Sequence, residues 1–206
     1  MERLEKQLIE LTSSNDWRKV ISLNKCYPLS ETCLFSWAWP SENCLKILKT
    51  VLDKNCVRSI LSIGCGSGLL EWILEATTGL PVRGIEMSNS LWMSNYSPTQ
   101  FIKMNFIEGD PSTMYLQECA ATRDDFALLF CYFNNKSAFD NYVEEYHGNV
   151  LIIIGPRNDC GIVTDPLPLN PNFCSLNGFE WELESVIDVD DDDYNVVAVY
   201  RRSRTI

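Results

Sequence analysis

The sequence predicts an α/β protein built on a mostly parallel sheet, with an antiparallel hairpin at its C-terminal end. Three observations carry this. Apolar runs of strand length recur at 57–63, 126–132 and 150–154, with helix-like stretches between them. The first run ends in glycines at alternate positions, Gly64, Gly66 and Gly68, and leads directly into a helical pattern. The last two β-like segments, 181–189 and 196–200, flank an acidic turn and read as a hairpin.

Taken in order, Leu4, Leu8, Ile9 and Leu11 fall at helical spacing, so residues 2–11 predict an amphipathic helix. An aromatic stretch follows, Phe35-Ser36-Trp37-Ala38-Trp39-Pro40. Ser41 then suits an N-cap, with Cys44, Leu45, Leu48, Val51 and Leu52 on the apolar face of a second helix. Val57 to Ile63 is the first strand. The helix after the glycines stops near Gly79, because Pro81 cannot continue it. Val82 to Glu86 is a second strand. Residues 88–104 are weakly periodic and predict a loop or a short helix, with Pro98 as a breaker. Asn105 to Glu108 predicts a third strand closing on Gly109-Asp110-Pro111, and 112–121 a helix. The runs at 126–132 and 150–154 are continuously apolar, as in central strands buried on both faces. Between them, 136–146 reads as a helix stopped by Gly148. Pro156, Pro166, Pro168 and Pro171 predict a long loop over 155–178.

A chain of 206 residues suits one domain with a full hydrophobic core. Residues 1–206 are therefore read as a single unit: an N-terminal helical or lid segment, 1–40, and a core, 41–206. At 46% hydrophobic and 22% charged residues, the composition is that of an ordinary globular protein. No apolar run approaches the roughly 20 residues of a membrane helix. The N-terminus lacks the apolar centre of a secretory signal. Nine cysteines without CxxC spacing read as reduced thiols, which predicts a cytoplasmic or nuclear protein. The single histidine, His147, leaves no Cys/His zinc pattern.

The formal net charge is −11, and the basic residues cluster only at Arg201, Arg202 and Arg204. Binding to nucleic acid therefore requires a basic partner to supply the positive face. The acidic excess at Asp188 and Asp190 to Asp193 reads as a solvated turn. A calcium site needs spaced ligands and a glycine bend, and this run has neither.

The glycine turn discriminates between cofactors. A P-loop needs GxxxxGK followed by Ser or Thr, and neither spacing nor lysine is present. A dinucleotide site needs GxGxxG or GxGxxA, and here Leu69 stands where the last small residue belongs. A nicotinamide-dependent reductase is thereby disfavoured. The pattern GxGxG suits a cofactor without phosphates, whose amino-acid arm and ribose lie close over the backbone. That cofactor is S-adenosylmethionine. Such a site also needs an acid for the ribose hydroxyls about 20 residues further on. Glu86 ends the second strand, 22 positions after Gly64. Asp110, beyond the third strand, is placed to accept from the adenine amino group.

These residues resemble the class I S-adenosylmethionine-dependent methyltransferases, from about residue 40 to the C-terminus. The resemblance rests on Ile-Leu-Ser-Ile-Gly-Cys-Gly-Ser-Gly68, Gly-Ile-Glu86, Glu-Gly-Asp110, the strands at 126–132 and 150–154, and the closing hairpin. It implies a Rossmann-like seven-stranded sheet with helices on both faces, and cofactor contacts from Ser62, Gly64, Cys65, Gly66, Gly68, Glu86 and Asp110. Phe35-Ser-Trp-Ala-Trp-Pro-Ser41 also resembles a little-characterised branch with a "WAxP" entry segment, which brings no substrate with it. One departure stands out. The family often carries Asp or Glu two residues before the first glycine, and this chain has Ser62, which supplies no charge for the cofactor's ammonium.

In this fold the end of the fourth strand faces the transferable methyl group. It reads Cys131-Tyr132-Phe133-Asn134-Asn135 and lacks the Pro-Pro pair of enzymes acting on base or glutamine amines. Asn134 is a candidate for orienting an acceptor, and Trp37 and Trp39 for walling off a sulfonium. Cys65 and Cys131 have no histidine near them in sequence, which argues against a thiolate nucleophile. The residues thus predict methyl transfer to a small-molecule or protein acceptor, with no catalytic base identified. A silent cofactor-binding sensor or scaffold is the alternative.

Overall fold

In the computed structural model, residues 2–87, 89–94, 97–107, 125–158, 164–173, 179–191 and 194–204 are described. Their centre is a seven-stranded sheet of order β3-β2-β1-β4-β5-β7-β6. The strands are β1 (Ser59–Ile63), β2 (Val82–Met87), β3 (Met104–Ile107), β4 (Phe126–Cys131), β5 (Val150–Pro156), β6 (Phe179–Asp188) and β7 (Asn195–Arg204). β1 to β5 pair in parallel, with Ile60 opposite Val82, Gly84 opposite Met104, Ser59 opposite Phe126 and Ala127 opposite Val150. β7 runs antiparallel to both β5 and β6. The sequence expects the hairpin as an edge element. In the structure its second strand inserts against β5, and β6 takes the edge.

The helices are α1 (Glu2–Ser13), α2 (Trp17–Ser22), α3 (Leu29–Thr32), α4 (Glu42–Lys54), α5 (Leu69–Thr78), α6 (Asn89–Trp92) and α7 (Lys136–Glu145). Ser41 caps α4 by accepting from the Cys44 N–H at 3.1 Å. Gly79, in the left-handed region at φ +71°, ends α5 with its N–H on the Glu75 carbonyl. The sequence reading places no helix in 17–32, where α2, a 3-10 turn (Leu23–Lys25) and α3 occur. These pieces are short, and α2 and α3 bury one residue each, Val20 and Thr32. Periodicity has nothing to register over so few turns.

Side chains alternate across each central strand, so the sheet has two cores. Ile60, Ala127, Leu129, Val150, Ile152 and Ile154 face one of them, together with residues of α1, α4 and α5. Leu61, Leu128, Phe130, Leu151 and Ile153 face the other, under Phe139, Tyr142 and Val143 of α7. Helices cover both faces, which is why β4 and β5 read as unbroken apolar runs. Beyond α7, the buried Tyr146 hydroxyl donates to the carbonyls of Phe126 and Val150 and so joins the starts of β4 and β5. A Cβ on Gly148 would lie 2.3 Å from that hydroxyl, which explains the glycine after α7.

The chain leaves β1 for β2 and β3 on one side and returns to β4 on the other. The order therefore reverses between β1 and β4, and a crevice opens there at the carboxyl ends of the strands. The predicted helix over 112–121 and the Gly109-Asp110-Pro111 turn lie outside the described residues.

Candidate functional site

The crevice is floored by the glycine turn between β1 and α5. Gly64, Gly66 and Gly68 all have positive φ, +71°, +58° and +77°. Two of them show different requirements. A Cβ on Gly68 would stand 2.4 Å from the Ile102 side chain, so this position is fixed by packing. A Cβ on Gly66 would meet nothing within 4 Å, so its face of the turn is open.

Backbone bonds hold the turn against β2. The Gly64 and Cys65 N–H groups donate to the Ile85 carbonyl, at 2.8 and 3.2 Å. The Gly66 N–H donates to Glu86 Oε2 at 2.8 Å, and the Met87 N–H to Glu86 Oε1 at 2.9 Å. Each carboxylate oxygen keeps a second lone pair for a further donor.

Ser67 ties the turn to two other segments. Its hydroxyl donates to the Phe35 carbonyl at 2.5 Å, and its carbonyl accepts from the Phe101 N–H at 2.9 Å. The aromatic stretch before α4 is thereby clamped to the turn. Within that stretch Trp37 is exposed, while Phe35, Ser36, Ala38, Trp39 and Pro40 are buried. Trp37 is 45% exposed, with its ring 5.6 Å from that of Tyr132. Trp39 is 5% exposed, and its indole N–H donates to the Ser36 carbonyl at 2.8 Å. Trp39, expected as a substrate residue, packs in the first core and lines neither cavity described next.

Two cavities meet at Gly64 and Cys131. The larger, about 330 Å³, is lined by Ile85, Glu86, Met87, Asn134 and Tyr142 among others. The smaller, about 200 Å³, is lined by Trp37, Gly66, Ser67, Glu71 and Trp92 among others. Asn134 is exposed at the wall of the larger one, and its neighbour Asn135 caps α7 through the Ala138 N–H at 3.0 Å. Tyr132, where the chain leaves β4, adopts φ +50°, a sparsely populated conformation for a bulky residue beside a cleft.

Ser62 is fully buried below the turn, and its hydroxyl donates to Glu71 Oε1 at 2.6 Å. Glu71, in the first turn of α5, is 1% exposed, and its second oxygen, Oε2, has no hydrogen-bond partner. Burial pushes this carboxyl up to about 7, and the nearby Glu86 carboxylate adds to the rise. Burial also pushes the Cys65 and Cys131 thiols far up, so both stay protonated at neutral pH. Burial, then Glu86, pushes the Tyr142 phenol up to about 12.

Gly64, Cys65, Gly66, Glu86, Trp37 and Asn134 thus line the crevice, whereas Ser62 is buried beneath the turn and Gly68 is packed against Ile102, and neither of these two lines a cavity. Asp110 lies outside the described residues. Glu71 and Ser67 escaped the sequence reading. The signal for Glu71 is its place on the stripe shared with Leu74 and Thr78, both buried. Elsewhere, Arg202 stacks on Trp181 at 5.0 Å and donates to the Tyr146 carbonyl, so the C-terminal basic run is partly engaged internally. The acidic turn is met by Lys25, which pairs with Asp191 at 3.2 Å, and by Arg157 on Asp188. Among the described residues no helix is long and apolar enough to cross a membrane.

No family model matches the chain, and no curated protein matches it. Solved structures do. An O-methyltransferase from Bacillus cereus in complex with SAH aligns over 98% of this chain and 91% of its own, at 11% identity and a TM-score of 0.50. Fibrillarin from Aeropyrum pernix, with natively bound S-adenosyl-L-methionine, aligns over 77% and 76%, at 12% identity and a TM-score of 0.40. The precorrin-6y C5,15-methyltransferase of Geobacter metallireducens aligns over 77% and 88%, at 13% identity and 0.43. The fold assignment rests on the first. With the strand order above, it defines a Rossmann-like methyltransferase fold.

Proposed function

We propose that the chain binds S-adenosylmethionine across the carboxyl ends of β1, β2 and β4 and transfers its methyl group to a small-molecule or protein acceptor. The observation that carries this reading is the Gly66–Glu86 pair. A bare, left-handed glycine faces open space, and its N–H is held by a carboxylate with acceptor capacity left over. That is a fit for an adenosyl amino acid laid over the turn. The backbone of Gly64, Cys65, Gly66 and Gly68 would support it, Ser62 would buttress the turn from below, and Glu86 would accept from the ribose hydroxyls. Asp110 is proposed for the adenine amino group.

When bound, the cofactor supplies a methyl group on an electron-poor sulfonium, an activated leaving group. The chain's own contribution is then chiefly alignment and exclusion of water. Trp37 and Tyr132 place aromatic faces at the mouth, where they favour a cation and close off solvent. Asn134 is proposed to orient the acceptor. Cys65 and Cys131, being held as thiols, do not serve as nucleophiles.

Titration calorimetry with S-adenosylhomocysteine tests the reading. Saturable binding is expected, weakened about tenfold, or about 1.4 kcal/mol, by Glu86→Ala. No binding heat at millimolar ligand overturns it. A sensor or scaffold role without transfer is favoured by Ser62 and by the missing Pro-Pro pair after β4. Incorporation of labelled methyl groups into any acceptor of a cell extract, lost in Gly66→Arg, decides against that role.

A further inference from the structure

Glu71 is a buried acid that the reaction outlined above does not use. It sits in the first turn of α5 and is hydrogen-bonded to Ser62 of β1. The Ser62 hydroxyl donates to Oε1 at 2.6 Å, and Oε2 has no hydrogen-bond partner. Glu71 is among the residues that line the smaller cavity, with Gly64, Gly66 and Trp37.

The described groups around it come from β1, β2, the turn, β4 and the segment after α3, whose Cys33 lines the same cavity. β1 offers Ser62, the end of β2 offers the Glu86 carboxylate, and the turn and β4 offer the Cys65 and Cys131 thiols. None of these is basic. Burial disfavours the charged form, so the carboxyl keeps its proton up to about pH 7. Oε2 is a buried carboxyl oxygen without a hydrogen-bond partner, on a side chain that borders a cavity, and the described residues around it supply no positively charged donor.

We propose that Glu71 receives the ammonium group of the ligand's amino-acid arm, in the place of the acid that Ser62 lacks, and that ligand entry expels the Glu71 proton to solvent. The inference rests on the reading of the site as an adenosyl amino-acid cradle. The step balances simply. The O–H bond of the Glu71 carboxylic acid breaks, its proton passes to buffer, and the ligand ammonium keeps its own protons and donates to the carboxylate. Nothing is oxidised or reduced. Binding of a cationic ligand lowers the proton affinity of Glu71, so release approaches one proton between the lowered, ligand-bound value and about 7, and vanishes well outside that window on either side.

The experiment is calorimetric titration of the full chain in two buffers of different ionisation enthalpy at about pH 6. Two nucleosides are compared. S-adenosylhomocysteine carries the ammonium, and 5′-methylthioadenosine lacks the whole amino-acid arm. Release of about one proton is expected with the first and none with the second. Glu71→Gln keeps the Ser62 bond but has no charge to offer. It is expected to abolish the release and weaken S-adenosylhomocysteine about tenfold or more, with methylthioadenosine unaffected. Should the variant fail to fold, the wild-type proton counts with the two nucleosides decide alone. Binding of S-adenosylhomocysteine without proton release overturns the proposal and leaves the cofactor reading standing. So does an equal effect of Glu71→Gln on both nucleosides. Failure of both nucleosides to bind the wild type overturns this proposal and the cofactor reading together.

Discussion

At the scale of single residues, the candidate site rests on a buried pair. The Ser62 hydroxyl of β1 donates to the Glu71 carboxyl in the first turn of α5 at 2.6 Å. Burying this acid has a cost that stability measurements can read in the absence of ligand. The folded state holds the Glu71 proton up to about 7, whereas the carboxyl's ordinary value is 4.5. The folded form binds more protons between these values, so the contribution is full below about 4.5 and is lost as pH rises through 7. Glu71→Gln stays neutral throughout. Its unfolding free energy relative to wild type is expected to rise by on the order of 3 kcal/mol across that window. Urea unfolding at about pH 5 and about pH 8 checks this, and a pH-independent difference would refute it. The glycines and Glu86 were legible from spacing alone. Glu71 was not, because an acid in a helix ordinarily faces water, and only its stripe with Leu74 and Thr78 marks it as buried.

At the scale of elements, legibility followed burial. β4 and β5 are covered on both faces, so each shows an uninterrupted apolar run. α4 was readable from both its cap and its apolar stripe. Ser41→Ala removes the acceptor of the Cys44 N–H and is expected to cost about 1 kcal/mol, with Ser41→Asp restoring most of it. The midpoint of urea denaturation measures the difference; equal midpoints for Ala and Asp would show that the cap is idle. α2 and α3 were missed because so little of each is buried. The insertion of β7 beside β5 was missed for another reason. Strand order is decided by pairing between distant segments, such as Ile154 with Val197, and no local pattern records it.

At the scale of the whole molecule, the crevice is a product of topology. The chain reverses direction around the sheet between β1 and β4, and the turn, the end of β2 and the end of β4 converge there whatever their separation in sequence. The N-terminal segment takes part as well: Leu4, Leu8 and Val20 belong to the first core, and Phe35 is bonded to Ser67. The net charge of −11 surrounds this arrangement with a negative field that favours a cationic ligand over a polyanion. The placement of the tryptophans has an optical consequence. Of six indoles, Trp37 and Trp92 border the smaller cavity. Their emission is therefore a built-in, label-free gauge of occupancy. Intrinsic fluorescence should change as nucleoside is added, and a Trp37→Phe, Trp92→Phe protein should bind while staying dark to it.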